Sequence, residues 1–428
     1  MKVLFVSLGC DKNTVDSEKI LKRFVDKYDF DIALTEDDAD VVIINTCSFI
    51  LDAKTESINH IKHFVNLKRK KIIKKVFVLG CLVTENEKTH EYDDIFKDVD
   101  AFLPTGKYID GLSVYNDRVS DILSFSSSIK ISDGCDKYCS YCIIPYLRGR
   151  YKSAKPYSVI SEAKKLAKSG VKELSIVSQD TLHYGFDLKD EKFRVKDRPI
   201  VDLVDTISKI SGIEWIRLLY CYPEEVDDKV VNLIKNNKKV LPYIDMPIQH
   251  INDNILKKMN RHTTRADIVE KIKKLRSEVP DIAIRTTLMV GFPGEGEKEF
   301  RELLDFVKDA EFDKLGVFCY SRERLSKSYE YGDQVSEAIK KKRKKAILDV
   351  QKKIVEKKNK DRIGIVYNSI VEGRDTTKKD TYIVRPYFNA RDIDDKVYVK
   401  SKELLLSGSF VNALITKTKG YDLVGEIV

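Results

Sequence analysis

The sequence predicts an α/β protein of three successive parts: an N-terminal parallel-sheet α/β domain, a partial (βα)6 barrel and a small C-terminal all-β barrel. Strand-like and helix-like segments alternate through most of the chain, which is typical of parallel sheets covered by helices. Counting the strand before Cys135, about six β-α units follow, too few for a complete eightfold barrel. From about residue 364 the pattern changes to short strands between polar or glycine turns.

Length and composition set the limits of this prediction. A chain of 428 residues is long enough for two or three domains, and we place them at residues 1–120, 121–360 and 361–428. No apolar run reaches membrane-spanning length, and the apolar stretch before Cys10 is too short for a signal peptide. We therefore expect a cytoplasmic protein whose eight cysteines are reduced and serve metal binding or catalysis rather than disulfides.

Three cysteines of the N-terminal part each follow a predicted strand. They are Cys10 after strand 3–7, Cys47 after strand 41–44, and Cys81 after strand 76–79. Parallel strands carry all their carboxyl ends on one edge of the sheet, so the three side chains should lie together. Free cysteine is also a common core residue. Three cysteines at equivalent positions nevertheless favour a metal site.

A second group, Cys135, Cys139 and Cys142, has C-x3-C-x2-C spacing on one loop behind a glycine turn. Thiolates that converge from one loop suit a soft metal. A structural zinc site would need a fourth ligand, and the closest following candidates are His183 and Cys221. Three ligands to a four-iron cluster would leave one iron open to a small chelating ligand. The loop is therefore predicted to be a reaction centre.

This loop on a partial barrel resembles the radical S-adenosylmethionine enzymes. The three N-terminal cysteines, the Arg148-Gly149-Arg150 segment and the β tail resemble their methylthiotransferase branch, which consists of a methylthiotransferase domain, a radical domain and a TRAM domain. The resemblance covers essentially the whole chain. Five segments further resemble the RimO type of this family: 9–18, 131–135, 148–153, 219–224 and 245–250.

The resemblance implies two 4Fe-4S clusters and S-adenosylmethionine as cofactors. One cluster, on Cys135, Cys139 and Cys142, would bind the methionine moiety and generate a radical that abstracts hydrogen from an unactivated carbon. The other, on Cys10, Cys47 and Cys81, would carry sulfur. The RimO type adds a methylthio group to the β-carbon of an aspartate in ribosomal small-subunit protein twelve, free or on the ribosome. An electron donor and a sulfur source are further implied partners. No residue is assigned as a catalytic acid or base.

Seven residues are predicted to contact S-adenosylmethionine. They are Tyr141, Gln179, Arg217, Gly291, Pro293, Gly294 and Glu295. Tyr141 could lie against a planar ligand or pack against its own loop. Gln179 and Arg217 could be pocket groups or ordinary residues of the barrel mouth. The turn at 291–295 matches a cofactor contact in the resembling enzymes, or it only marks the start of a helix.

The net charge of +9 comes from residues 340–362, which hold twelve Lys/Arg and three acidic residues. Such a run is most often the solvated face of a helix, but it could contact rRNA or tRNA. The tail after residue 364 holds ten Lys/Arg and nine acidic residues, so it lacks the basic charge of an RNA-binding module. Two alternative functions remain open: a tRNA adenosine methylthiotransferase, and a zinc-stabilised, non-catalytic RNA-binding protein.

Overall fold

The computed structural model describes residues 1–108, 117–119, 124–188 and 197–428. It contains a five-stranded parallel sheet, a six-stranded parallel sheet and a closed five-stranded barrel, in that order along the chain. This confirms the predicted architecture of three parts. The predicted limit between residues 120 and 121 lies outside the described residues, and the domain bounds stay a prediction.

The N-terminal sheet has the strand order β2-β1-β3-β4-β5, with every neighbouring pair parallel. Its strands are β1 (Lys2–Ser7), β2 (Asp31–Ile32), β3 (Val41–Thr46), β4 (Lys75–Gly80) and β5 (Ala101–Pro104). Its helices are α1 (Asp11–Lys27), α2 (Leu51–Arg69), α3 (Cys81–Thr89) and α4 (Asp93–Phe96). All six residues of β3 are buried because apolar clusters cover both faces of this central strand.

The second sheet is an open, partial barrel of six parallel strands in the order β13-β12-β11-β10-β9-β6. Its strands are β6 (Ser126–Lys130), β9 (Glu173–Val177), β10 (Trp215–Leu218), β11 (Val240–Asp245), β12 (Ala283–Val290) and β13 (Lys314–Cys319). A short antiparallel pair, β7 (Ser132–Asp133) and β8 (Lys152–Ser153), flanks the second cysteine loop.

Helices cover one face of this partial barrel. The short helix α5 (Ile144–Arg148) precedes them and packs against α3 of the N-terminal domain, where Leu147 lies in one apolar cluster with Cys81. The covering helices are α6 (Pro156–Lys168), α7 (Pro199–Ser208), α8 (Asp228–Asn236), α9 (Asp253–Lys258), α10 (Arg265–Glu278), α11 (Glu297–Ala310) and α12 (Glu337–Asp361). Ile216, Ile244 and Ile284 face the helices, and Trp215 and Tyr243 face the opposite way. The alternation follows from the two-residue period of a strand.

The C-terminal barrel closes in the order β14-β15-β16-β18-β17. Its strands are β14 (Val366–Arg374), β15 (Thr381–Pro386), β16 (Val397–Lys400), β17 (Phe410–Lys419) and β18 (Asp422–Ile427). Ile370, Val384 and Phe388 of this barrel form one apolar cluster with Trp215 and Tyr243. The C-terminal domain therefore covers the sheet face that the helices leave open, and the carboxyl ends of the barrel strands lie toward the N-terminal domain.

Several elements were not predicted from the sequence, among them β2, β5 and α4 of the N-terminal domain. The short strands predicted in the tail include 365–367 and 368–371 as separate segments, but these form one strand, because Asn368 continues the ladder opposite Asn412 instead of starting a turn. Strand β18 was not predicted. Helix α8 was not predicted either; it is short, and Asp227 caps it by accepting a hydrogen bond from the Val230 amide at 3.0 Å. Within the described chain, no helix combines the length and apolarity that crossing a membrane requires.

Candidate active site

The first cysteine group lies on one edge of the N-terminal sheet. Cys10 precedes α1, Cys47 follows β3 and Cys81 begins α3, so all three stand at the carboxyl ends of neighbouring strands. Gly9 has φ +93°, and a Cβ there would lie 2.6 Å from the Cys47 Cβ. Only glycine lets the loop before Cys10 pack this closely on Cys47. The three cysteines that follow predicted strands in the sequence therefore lie together at one edge of the sheet.

The second cysteine group lies on the loop between β7 and α5. The Cys135 amide donates to the Gly149 carbonyl at 3.2 Å, and the Cys142 amide donates to the Cys139 carbonyl at 2.9 Å. Gly134 has φ +69°, and a Cβ there would lie 2.1 Å from the Arg150 carbonyl oxygen. The loop is therefore folded tightly against the segment that follows it, which turns its three thiols toward one another.

The thiols of each group influence one another. Burial, with added contributions from Cys81 and Cys10 nearby, raises the pKa of the Cys47 thiol to about 12. Burial, reinforced by Cys139, likewise raises the pKa of the Cys135 thiol to about 12. Buried thiols in groups of three are protonated at neutral pH unless a cationic centre replaces the protons. The donor sets of both groups therefore fit iron–sulfur clusters held by three cysteines each.

A buried charge network joins the two cysteine groups. The Arg148 guanidinium donates to Asp133 Oδ2 at 3.1 Å, to Asp16 Oδ2 at 3.0 Å and to Asn13 Oδ1 at 2.6 Å. Lys130 pairs with the same two carboxylates. Arg148 also hydrogen-bonds the Cys81 thiol, an interaction that opposes the burial-driven rise of its pKa.

Two cationic side chains hold the Asp133 carboxyl of this network in its ionised form. Burial opposes ionisation of Asp133, but Lys130 and Arg148 lower the pKa of its carboxyl below the usual range. Asp133 lies two residues before Cys135, whereas Asn13 and Asp16 lie on the helix that follows Cys10. Arg148, which the sequence marked only as part of the segment that resembles the methylthiotransferase branch, is thus the side chain that contacts both cysteine-bearing parts.

Tyr141 and the turn at 291–295 lie together. The Tyr141 ring packs edge-on against Phe292, with ring centroids 6.5 Å apart, and its side chain also interacts with Cys139 of its own loop. Glu295 Oε2 accepts a hydrogen bond from the Gly291 amide at 2.9 Å, and Glu295 Oε1 pairs with Arg343 at 2.7 Å. The Glu295 carboxylate is therefore engaged within the protein. Cofactor contacts at Tyr141, Gly291, Pro293, Gly294 and Glu295 stay predictions.

Gln179 and Arg217 have different surroundings. Gln179 follows β9 at the barrel mouth, and its amide oxygen is buried with no hydrogen-bond partner in the described chain. Arg217 lies inside β10 and faces the C-terminal domain, where it donates to the Tyr387 carbonyl at 2.8 Å and to Glu173 Oε1 at 3.1 Å. Arg217 thus links the partial barrel to the C-terminal domain, and a cofactor contact at this residue stays a prediction.

Two residues near the cysteines carried no signal in the sequence. Arg261 follows α9, and its Nη1 lies 4.0 Å from the Cys139 Sγ. Its guanidinium also stacks over the Tyr222 ring at 4.3 Å. Lys12, two residues after Cys10, is buried beside Tyr220. Neither residue belongs to a spacing pattern, so only the fold reveals its position.

The basic run forms most of α12, which packs on α11 and β13. The basic side chains on its inner face already have partners within the protein. Lys340 Nζ donates to the Tyr320 carbonyl at 2.8 Å, and Lys358 Nζ lies 2.8 Å from Asp313 Oδ1. Buried Ile347 and Ile354 anchor the same face. Arg343 is buried against Glu295, whereas cations such as Lys341, Lys345 and Lys352 face solvent. A contact between the exposed cations and rRNA stays a prediction.

Comparison with known proteins gives three family matches. Residues 129–307 match the radical SAM superfamily, residues 363–428 match the TRAM domain, and residues 2–103 match an uncharacterized protein family, UPF0004. The chain is 44% identical over 456 aligned positions to the ribosomal protein uS12 methylthiotransferase RimO of Acetivibrio thermocellus, which covers all of this chain and 98% of the relative. The RimO of Clostridium acetobutylicum is 41% identical over 449 positions, with the same coverage.

The chain belongs to the RimO family. It is therefore a radical SAM methylthiotransferase, an enzyme that transfers sulfur-containing groups. The RimO of Clostridium botulinum, 39% identical over 448 positions with 100% of this chain and 98% of the relative covered, gives the same result.

Two solved structures share the fold of this RimO-family chain at much lower sequence identity. TsrM of Kitasatospora setae, a radical S-adenosylmethionine methyltransferase, superposes with a TM-score of 0.54 at 15% identity, covering 74% of each chain. The cobalamin-dependent S-adenosylmethionine radical enzyme OxsB superposes with a TM-score of 0.50 at 9% identity, covering 81% of this chain and 56% of OxsB. Identities this low establish a shared fold and nothing finer.

Proposed function

We propose that this RimO-family enzyme adds a methylthio group to the β-carbon of an aspartate in ribosomal protein uS12, the small-subunit protein twelve. The observation that supports this most strongly is the joining of two separate three-cysteine groups by the network of Arg148, Asp16, Lys130 and Asp133. Removal of a hydrogen atom and delivery of sulfur must occur at the same carbon. Two sites held in a fixed relation by buried ion pairs meet that requirement.

Each cysteine group is proposed to hold a 4Fe-4S cluster, with S-adenosylmethionine at Cys135, Cys139 and Cys142. When bound, these groups supply the radical that opens the carbon–hydrogen bond and the sulfur and methyl that replace the hydrogen. Burial of Cys47, Cys81, Cys135 and Cys139 keeps water from this chemistry. An electron donor and a sulfur source complete the proposed set of partners.

The side chains around the second loop hold its shape. The side-chain amide of Asn260 donates to the backbone carbonyls of Lys137 and Tyr138 at 3.1 and 3.0 Å. The Ser140 amide donates to the Met259 carbonyl at 2.9 Å. Arg261 places a positive charge beside the Cys139 sulfur. We propose that these contacts preorganise the loop for its cluster, which reduces the ordering needed when the cofactors bind.

Incubation of the reconstituted protein with reductant, a sulfur source and S-adenosylmethionine tests this function. The expected result is a mass gain of one methylthio group on uS12, located to an aspartate by fragmentation, and none on tRNA supplied in the same way. Methylthiolation of tRNA without that of uS12 would contradict the proposed substrate. Anaerobic metal analysis separates the remaining alternative, because a protein that binds zinc and no iron would lack the radical chemistry altogether.

A further inference from the structure

Lys12 places an ammonium group at the boundary between the N-terminal domain and the barrel mouth. It lies in the first turn of α1, two residues after Cys10, and only 6% of the residue is exposed. Its Nζ lies 3.2 Å from the centroid of the Tyr220 ring and 3.4 Å from the Ser178 carbonyl oxygen. Ser178 and Tyr220 follow β9 and β10, so Lys12 reaches across to the carboxyl ends of two barrel strands.

This ammonium group has no acidic partner of its own. Across the described parts of the chain, no carboxylate oxygen forms an ion pair with Lys12 within 4.0 Å, although Lys19 on the same helix pairs with Glu162 at 2.7 Å. Two acids act on Lys12 from farther away: its chain neighbour Asp11, and Asp245 at the barrel mouth. Asp245 is already bound by Arg285 at 2.9 Å and by the Tyr220 amide at 3.1 Å. A buried charge with only a ring face and one carbonyl as partners is costly unless a ligand compensates it.

A second polar atom at the end of β9 also lacks a partner. Gln179 directly follows Ser178, and its side-chain oxygen is buried without a hydrogen bond in the part of the chain that the structure describes. The end of β9 therefore combines an unpaired cation with an unpaired acceptor. A peptide segment has the matching groups, since an acidic side chain would accept from the ammonium and a backbone N–H would donate to the amide.

We infer that Lys12 binds the carboxylate of the substrate aspartate and thereby fixes the neighbouring β-carbon between the two cysteine groups. This inference rests on the proposed function and names the residue that selects its substrate. The carboxylate takes the place of the Tyr220 ring face as the partner of the ammonium. Because the carboxyl carbon is bonded directly to the β-carbon, one ion pair is enough to restrict where that carbon lies.

Such a contact also defines specificity. An asparagine in the same position presents no negative charge to Lys12, and it leaves the buried ammonium without its counter-ion. A nucleobase presents no carboxylate either. The same residue would thus favour an acidic protein side chain over both, by leaving the wrong ligand with an unpaired buried charge.

Binding measurements on the reconstituted holoenzyme test this role without relying on turnover. Labelled uS12 and a uS12 variant with asparagine at the target position are titrated with the wild type, with Lys12→Gln and with Lys27→Gln. Lys27 is the matched control, because it lies on the same helix with its Nζ 5.3 Å from the centroid of the Tyr28 ring but is exposed. We expect Lys12→Gln to weaken binding of unmodified uS12 about 10- to 100-fold, with little change for the asparagine form or for Lys27→Gln.

Three results would overturn the inference. Equal affinity of Lys12→Gln and wild type for uS12 would show that Lys12 makes no contact, and an equal loss for both forms of uS12 would show a structural role. Equal affinity of the wild type for both forms would exclude recognition of the carboxylate, even if Lys12→Gln did not fold. By contrast, a wild-type enzyme that binds no uS12 at all would overturn the proposed substrate itself.

Discussion

The Arg148 Nη1 lies 3.0 Å from Asp16 Oδ2, and this contact joins the N-terminal domain to the loop of the second cysteine group. Asp16 lies on the helix that follows Cys10, and Arg148 ends the short helix that follows Cys142. Both side chains are buried, with Lys130 and Asp133 as their other partners. The relative position of the two cysteine groups therefore depends on a buried, compensated set of four charges.

The first prediction concerns Asp16. Replacing it by asparagine leaves Lys130 and Arg148 to share the single carboxylate of Asp133, so one buried positive charge loses its compensation. We expect Asp16→Asn to lower the free energy of unfolding by about 3 kcal/mol, and to increase hydrogen exchange in α1 and α5. Urea unfolding and exchange mass spectrometry measure the two effects. Asp26→Asn, at an exposed position of the same helix, should change neither, and identical behaviour of both variants would contradict this role.

The second prediction concerns a buried triad that links α2, α3 and the loop after β13. Lys54 Nζ lies 2.8 Å from Glu85 Oε1 and 2.7 Å from Glu323 Oε2. Burial opposes the charge of Lys54, but the two carboxylates raise the pKa of its ammonium. Lys54→Met leaves both acids buried without a cation, and we expect a loss of about 3–5 kcal/mol in stability near neutral pH.

That loss should shrink with acidification. Burial raises the pKa of the Glu85 carboxyl. Acidification therefore removes an uncompensated charge in Lys54→Met, and the difference from wild type should be smaller at about pH 5 than at about pH 8. Thermal unfolding at the two pH values measures it. Lys62→Met, on the exposed face of the same helix, is the control and should show no such dependence. A loss that is independent of pH would contradict the charge argument.

The third prediction concerns Glu173 at the junction with the C-terminal domain. Burial opposes its ionisation, but Arg385 and Arg217 lower the pKa of its carboxyl to about 2, from a usual value of 4.5. Because the folded-state pKa is the lower one, the stabilisation is complete above about pH 4.5 and is lost as the pH falls toward 2. It amounts to about 3 kcal/mol.

Limited proteolysis of the junction between the barrel and the C-terminal domain measures this loss of stability. Wild-type protein should become more susceptible as the pH falls through this window. In Glu173→Gln the junction should already be weakened at neutral pH and should lack the part of the pH dependence that Glu173 contributes. Glu372→Gln is a useful comparison, because Glu372 pairs with the same Arg385 but is only half-buried. Equal pH profiles for wild type and Glu173→Gln would contradict the assignment.

The sequence was sufficient for the features that depend on local pattern. Strand alternation placed Cys10, Cys47 and Cys81 at strand ends, and parallel pairing then required those ends to meet. The helix Pro156–Lys168 likewise lies where the sequence pattern predicts one near these residues, because Pro156 can occupy a first turn and Gly170 follows its end. Such features depend on residues that are close together in the sequence, so the sequence alone is enough to predict them.

Features that depend on which way a side chain faces could not be read from the sequence. Arg217 was expected at the barrel mouth, but alternation along β10 turns it to the same face as Trp215, against the C-terminal domain. Lys12 lies in the first turn of a helix, where a lysine is expected to be exposed. Only the packing of the two domains buries it. Arg148 likewise gains its partners from a helix that lies more than 100 residues earlier in the sequence.

The most direct test of the account separates the work of the two cysteine groups. Cys139→Ala and Cys47→Ala are each reconstituted and supplied with uS12, and deoxyadenosine and methylthiolated uS12 are measured in the same reaction. We predict that Cys139→Ala forms neither product, whereas Cys47→Ala still forms deoxyadenosine but no methylthiolated uS12. Normal methylthiolation by Cys47→Ala would contradict the claim that the N-terminal cysteines deliver the sulfur.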